Sequence, residues 1–138
     1  MMVAILTGRY PLISLTSIDH LVFRVSALDR TERFYTALLS QDPERPEHSL
    51  LYTVGETRLF FTRSTEMGSS LYDKEKIGLN HLAFAINTLN DLRAVQSRLN
   101  TAGIPHSGIR IDQYGLKEYI WLDDPDGMRI EFYLRPQS

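Results

Sequence analysis

The chain has 138 residues, of which 43% are hydrophobic and 23% charged, and its formal net charge is -2. These fractions are typical of a globular protein with a buried core, and the length suits one compact domain or two fused small modules. The charge leaves no basic surface for nucleic acid and no Lys/Arg cluster for a membrane surface. The absence of cysteine excludes disulfides, thiolate metal ligands and a cysteine nucleophile.

The N-terminal stretch is rather apolar, so a signal peptide has to be considered. It lacks a basic start, Arg9 and Pro11 interrupt it, and no cleavage pattern of small residues follows. The apolar run is also too short to span a bilayer. We therefore expect a cytoplasmic protein in which residues 1–16 form an N-terminal arm. The arm is either an extra edge strand, a segment that contacts a partner or a loose tail.

One short pattern occurs twice in the chain. Residues 18–23 read IDHLVF and residues 79–84 read LNHLAF, and this places His20 and His81 at equivalent points 61 residues apart. Each copy alternates polar and apolar residues, as a half-buried strand does. Each is followed by apolar residues at helical spacing. The repetition indicates an internal duplication.

The elements of the first half follow in order. A strand is predicted over Ile18–Val25, and Ser26–Asp29 offers side chains that can cap a helix. The helix should end near Ser40, before a loop with two prolines. Two further strands are predicted over Leu50–Val54 and Thr57–Thr62.

The second half repeats this order after a polar linker. A strand is predicted over Leu79–Ile86, and Thr88 followed by Asp91 resembles the start of a capping box. Gly103 is a plausible residue just past the end of the helix. The last two predicted strands, on either side of a DPDG turn, are Lys117–Asp123 and Met128–Arg135.

Each half is thus predicted to contain, in order, a strand, a helix, a short strand or loop, and a hairpin. The predicted fold class is α+β, with two paired βαβββ modules that make one domain in total. The predicted segments are an arm (1–16), a first module (17–63), a linker (64–77) and a second module (78–138).

Strand alternation also predicts which side chains share a face. The helix of each half should cover the apolar face, so the polar face lines whatever the sheet curls around. Ala83 and Ala85 would leave open volume beside His81. The candidates for contact with a substrate on these faces are Arg24, Phe60, Tyr119, Trp121, Arg129 and Tyr133. The aromatic side chains either stack on a flat substrate or fill the cavity, and the arginines either attract an anion or make ion pairs at the rim.

The segments DHLVFRV, NHLAFAI and DPDGMRIEFY resemble the vicinal oxygen chelate superfamily, and the resemblance covers the chain from about Ile18 onward. That superfamily includes glyoxalase I, fosfomycin-resistance thiol transferases, extradiol dioxygenases and bleomycin-resistance proteins. The resemblance implies a U-shaped, partly open mixed β-barrel with the helices outside and a divalent metal inside. The implied ligands are His20, His81 and Glu131. Phe60 falls where glyoxalase I usually has a second glutamate.

Two imidazoles and one carboxylate favour Fe, Mn, Co, Ni or Zn over Ca. Three protein ligands leave room for a substrate with two neighbouring oxygens, on which the metal acts as a Lewis acid. We therefore expect a metal-dependent enzyme. Because a two-module chain of this length resembles the glyoxalase group, a glyoxalase-like lyase or isomerase with Glu131 as a catalytic group is the first choice. An extradiol-type dioxygenase and a fosfomycin-type thiol transferase are alternatives. A second alternative is a metal-free, drug-binding resistance protein.

The resemblance also bears on partners. Modules of this superfamily often pair across subunits, so a homodimer is expected, with the ligands in one chain or shared between two. The expected ligand is a small molecule, and neither nucleic acid nor a membrane is expected as a partner.

Overall fold

The structure is a computed structural model that describes residues 10–66 and 70–137. Within these residues the elements are, in chain order, β1 (His20–Val25), α1 (Leu28–Leu39), β2 (Ser49–Val54), β3 (Thr57–Arg63), β4 (His81–Ile86), α2 (Leu89–Thr101), β5 (Arg110–Ile111), β6 (Glu118–Asp123) and β7 (Arg129–Leu134). Every strand and helix predicted above is present. Residues 1–9 of the predicted arm, 67–69 of the predicted linker and Ser138 lie outside the described residues.

The strands form two sheets with the same topology. The first has the order β1-β3-β2 and the second β4-β7-β6-β5. In each sheet the strand before the helix runs parallel to the last strand of its half, and the hairpin adds an antiparallel neighbour. The second half has β5 as its short strand, whereas the first has a single bridge between Glu44 and Leu51 at that point. This architecture confirms the predicted fold class.

The helices cover the apolar faces of the sheets. Helix α1 contacts β2 and β3, helix α2 contacts β4, β6 and β7, and the two helices contact each other. The buried side chains of both halves form one cluster, in which Tyr35, Phe61, Leu92 and Ile130 are at most 1% exposed. No strand of one sheet pairs with the other within the described residues, so the sheets do not close into a barrel in one chain. Neither helix in this part of the chain is long and apolar enough to cross a membrane.

The start of α1 differs from its prediction. Its N-cap is Ala27, which makes no side-chain cap hydrogen bond, and of the side chains in Ser26–Asp29 it is Asp29 that accepts a first-turn N–H, from Arg30 at 2.9 Å. Ser26 lies one residue too early, and its hydroxyl instead accepts a hydrogen bond from Arg30. The predicted end is confirmed, because Ser40 follows the helix in the left-handed conformation.

Both ends of α2 agree with the sequence. The Thr88 hydroxyl accepts a hydrogen bond from the Asp91 N–H at 3.0 Å, as a capping residue does. At the other end Gly103 has φ +69, and the Ile104 N–H donates to the Leu99 carbonyl at 2.9 Å. This hydrogen bond and the left-handed conformation of Gly103 are those of a Schellman motif, which favours glycine at its left-handed position.

The turn before β7 joins the two halves. The Tyr35 hydroxyl of α1 donates to Asp124 Oδ2 at 2.7 Å, and the N–H groups of Asp126 and Met128 each donate to Asp124 Oδ1 at 2.9 Å. Burial raises the pKa of Asp124, which these hydrogen bonds partly oppose. The buried carboxylate therefore holds the hairpin turn against the first half.

Candidate metal centre and adjoining cavity

Two of the predicted ligands meet on the second sheet. In the parallel pairing of β4 and β7, His81 lies opposite Arg129 and Ala83 opposite Glu131. His81 Nε2 and Glu131 Oε1 are 3.5 Å apart. Two ligands at about 2.0–2.2 Å from one ion and about 90–110° apart are separated by about 2.8–3.6 Å. The pair thus fits two corners of a metal site.

The ring orientation of both histidines follows from the residue before each. His20 Nδ1 lies 2.8 Å from Asp19 Oδ2, and His81 Nδ1 lies 2.8 Å from Asn80 Oδ1. An oxygen acceptor at this distance places the ring proton on Nδ1 and leaves the Nε2 lone pair free for a metal. The prediction overlooked this arrangement, although an acidic or amide residue precedes the histidine in both copies.

Glu131 is in a setting that favours a bound cation. Its side chain is 15% exposed. Burial raises the pKa of Glu131, while the nearby His81 and Arg129 act in the opposite direction. A raised pKa means that the ionised carboxylate lacks enough positive charge around it. A divalent ion beside His81 Nε2 would supply that charge, so the donor set fits the expected metal.

The third predicted ligand lies on the other sheet. His20 has the same place on β1 as His81 on β4, and its side chain is 53% exposed. Phe60 pairs with Val22 as Glu131 pairs with Ala83, so Phe60 stands in the place of a carboxylate. Its ring meets the His20 ring edge-on at 5.8 Å. Among residues 10–66 and 70–137, no three potential metal ligands come together in one chain, so His20 does not join the pair there.

A cavity of about 540 Å³ opens beside the His81–Glu131 pair. Its lining residues are His81, Ala83, Ala85, Asp112, Tyr114, Tyr119, Glu131, Tyr133 and Arg135. The open volume expected next to the two alanines is therefore present. The rings of Tyr119 and Tyr133 lie side by side in this wall, with centroids 6.2 Å apart.

The other predicted substrate contacts lie elsewhere. The Arg129 guanidinium sits 4.0 Å from the centre of the Trp121 ring, and its Nε donates to Asp123 at 2.6 Å. These two side chains thus pack on each other and do not line the cavity. Arg24 and Phe60 belong to the first sheet, on the strand face that carries His20.

A loop between β5 and β6 is fastened to the cavity wall. The Tyr133 hydroxyl donates to Asp112 Oδ2 at 2.8 Å, and the Gly115 N–H donates to the same oxygen at 2.9 Å. These hydrogen bonds lower the pKa of Asp112, and the bond to Asp112 raises the pKa of Tyr133. A Cβ on residue 115 would lie 1.9 Å from the Tyr133 hydroxyl, so a side chain there would displace this hydroxyl from Asp112. The sequence offered no periodic signal for this contact.

The sequence model of the Glyoxalase/Bleomycin resistance protein/Dioxygenase superfamily matches residues 17–132. The chain belongs to this superfamily, as the resemblance of the two strand repeats and the final hairpin predicted.

The chain is also similar to individual proteins. The uncharacterized protein YaeR of Escherichia coli (strain K12) is 36% identical over 59 residues, which is 43% of each chain, so the match spans less than half of that protein. The glyoxalase family protein from Enterococcus faecalis is 27% identical, with a TM-score of 0.70, over 85% of this chain and 96% of that one. The lactoylglutathione lyase from Agrobacterium tumefaciens is 18% identical, with a TM-score of 0.67, over 87% and 94%. At that identity the likeness shows the fold alone.

Proposed function

We propose that this protein is a divalent-metal-dependent enzyme that acts on a small molecule with two neighbouring oxygens. The observation that carries the proposal is the matched setting of the two histidines. Each ring is held at Nδ1 by the preceding residue, and His81 Nε2 already faces Glu131 at 3.5 Å. Such outer hydrogen bonds are characteristic of histidines that bind metals.

We further propose that His20 of a second copy completes the site. Three facts support a shared site: His20 is half exposed, it does not reach the pair within one chain, and the polar faces of both sheets point away from the helices. Strands β1 and β4 each lie at the edge of their sheet, where another chain can approach. The proposed assembly is therefore a homodimer in which the first sheet of each chain closes the cavity of the other.

The residues present suit Fe, Mn, Co, Ni or Zn, and such an ion would act as a Lewis acid on the substrate oxygens. Glu131 is the carboxylate beside the proposed site, because Phe60 occupies the equivalent place on the first sheet. Its position 3.5 Å from His81 Nε2 puts it beside the bound oxygens, where it would take up a proton from an adjacent carbon. A lyase or isomerase with one carboxylate base is the reaction we favour.

Two other chemistries use the same ligand types. An extradiol-type dioxygenase requires iron and consumes oxygen with catechols, whereas a lyase should turn over a hemithioacetal with nickel, zinc or cobalt. A fosfomycin-type thiol transferase would join a thiol to fosfomycin. Assays of each activity against each metal separate these reactions.

A metal-free binding protein is the second candidate. The tyrosines along the cavity wall favour it, because their rings can hold a flat ligand without a metal. Elemental analysis of protein purified without a histidine tag separates the two candidates. A His81→Ala variant that keeps full ligand affinity and loses no metal would support the binder.

The shared site can be tested with mixed dimers of His20→Ala and Glu131→Ala chains. In a mixed dimer, one site receives His20 from the Glu131→Ala chain and the intact pair from the His20→Ala chain. The other site lacks both His20 and Glu131. We expect no tightly bound metal in either homodimeric variant and one ion in the mixed dimer.

Metal-free mixed dimers, beside a wild type that binds metal, would place the site in one chain. A wild type that binds none of the five metals would overturn the enzyme proposal. Circular dichroism of each variant checks that the fold is retained.

A further inference from the structure

Arg135 lies at the far end of the cavity from the His81–Glu131 pair. Its N–H donates to the Ile86 carbonyl at 2.7 Å, which continues the β4–β7 pairing one residue past the end of β7. Alternation therefore places the Arg135 side chain on the same face as Glu131 and Tyr133. The four residues from Glu131 to Arg135 correspond to about 13 Å along the strand.

The Arg135 side chain is held over an aromatic ring. Its guanidinium carbon lies 5.3 Å from the centre of the Tyr133 ring, and the residue lines the cavity. An arginine on an aromatic face keeps its N–H edge free for a planar anion. Among the described residues no carboxylate is paired with this guanidinium, whereas Arg129 on the same face is paired with Asp123.

The other charged side chain near this end is already hydrogen-bonded within the protein. Asp112 lines the cavity but accepts hydrogen bonds from the Tyr133 hydroxyl and from the N–H groups of Gly115 and Tyr114. The Tyr133 hydroxyl is used in that contact. Arg135 is thus the group at this end that is available to a ligand.

We propose that Arg135 selects substrates with a carboxylate at one end, a flat middle and two neighbouring oxygens at the other end. The carboxylate binds the guanidinium, the flat part lies along the tyrosines, and the oxygens reach the His81–Glu131 pair. Only the last contact rests on the proposed metal function, and the role of Arg135 stands without it. Arginine forms two parallel hydrogen bonds with a carboxylate, which gives direction as well as affinity.

The test uses 3,4-dihydroxycinnamate and its primary amide, which differ in charge and share their shape. Calorimetric titrations are done on the full chain, metal-free and loaded with Zn²⁺. We expect the wild type to bind the acid about tenfold or more tightly than the amide in both forms, as a charge-assisted pair requires. Arg135→Gln should bring this ratio close to one, and Arg135→Lys should keep part of it.

Arg93→Gln is the matched control, because it removes one positive charge from the exposed face of α2 and should keep the wild-type ratio. An unchanged ratio in Arg135→Gln, or no measurable binding of the acid by the wild type at millimolar concentrations, would overturn the assignment. Failure of the metal proposal gives a different result. In that case Zn²⁺ would not improve binding of the dihydroxy acid over plain cinnamate, while the effect of Arg135 would persist in the metal-free protein.

Discussion

The two sheets carry the same histidine in the same setting and differ in what stands beside it. On the second sheet His81 faces the carboxylate of Glu131 across 3.5 Å, with a cavity next to the pair. On the first sheet His20 meets the ring of Phe60. The duplicated strand therefore preserves the orientation of the histidine ring. The equivalent position on the last strand of each half, Phe60 or Glu131, decides whether a carboxylate lies beside that ring.

This difference makes the sheets complementary. The second sheet has two of the proposed ligands, a cavity and a loop hydrogen-bonded to the cavity wall. The first has one proposed ligand, His20, which is exposed and lies between its carboxylate partner Asp19 and the apolar ring of Phe60. A site formed by the first sheet of one chain and the second sheet of another would have three proposed ligands, of which one is a carboxylate. A site formed by two second sheets would bring two carboxylates together. The asymmetry thus suits a cation site with open positions for substrate.

The largest effect is expected from removing the charge that distinguishes the second sheet. Glu131→Gln should weaken metal binding by more than about 100-fold, beyond the 10–100-fold typical of losing an outer partner. Competition with a chromophoric chelator measures this. Glu56→Gln, in the exposed turn between β2 and β3, makes the same chemical change away from the cavity and should have no effect. Equal affinities in both variants would remove Glu131 from the site.

The contact between the halves should matter more than a similar contact within one half. Tyr35→Phe leaves the buried Asp124 carboxylate without a donor at Oδ2, and should lower the free energy of unfolding by about 1.5–3 kcal/mol. Tyr52→Phe removes only neutral contacts, a hydrogen bond with the Thr36 hydroxyl at 2.8 Å and a longer one to the Glu32 carbonyl at 3.2 Å, and should cost about 0.5–1.5 kcal/mol. Urea unfolding of both variants measures the two values. A smaller loss for Tyr35→Phe would contradict a joining role for the turn.

The outer partners of the histidines offer a finer comparison. Asp19→Ala and Asn80→Ala should each weaken metal binding by about 10–100-fold, because the ring loses the group that orients it. The loss of metal affinity should be greater for Asp19→Ala, since an ionised carboxylate makes the imidazole a stronger electron-pair donor to the metal than an amide does. Asn90→Ala on α2 is the control. Full metal affinity in the first two variants would show that Nδ1 contacts do not organise the site.

The smallest effect concerns pH and the loop at the cavity. Because the pKa of Asp112 is lowered in the folded chain, the native state keeps this carboxylate ionised at more acidic pH than the unfolded chain does. The stability that it contributes is fully present above the unfolded value of about 3.9 and is lost as pH falls through the lower folded value. The protection factor of the Gly115 amide, which corrects for the intrinsic pH dependence of exchange, should therefore fall in that acidic range. Asp112→Asn, which does not titrate, should show no such acid-dependent change.

Much of the fold could be predicted because its signals are local. Alternating residues in strands and the apolar stripes of the helices identified both helices and every strand except the two-residue β5, and the Thr88 cap and the Gly103 end were correct. At α1 the sequence did not show which residue acts, because Ser26 is instead in contact with Arg30 and with Asp126 at the far end of the chain. Such contacts between residues far apart in the chain cannot be inferred from a local sequence pattern.

The sequence by itself determined the duplicated scaffold, the buried and exposed faces of each strand, and the equivalence of Phe60 and Glu131. These follow from strand periodicity, which depends only on neighbouring residues. Tertiary structure alone decided that Arg129 packs on Trp121, that Asp112 fastens to Tyr133, and that His81 reaches Glu131 while His20 does not. The reason is that side-chain contacts depend on how separate elements pack and which rotamers that packing permits, and no spacing along the chain specifies either.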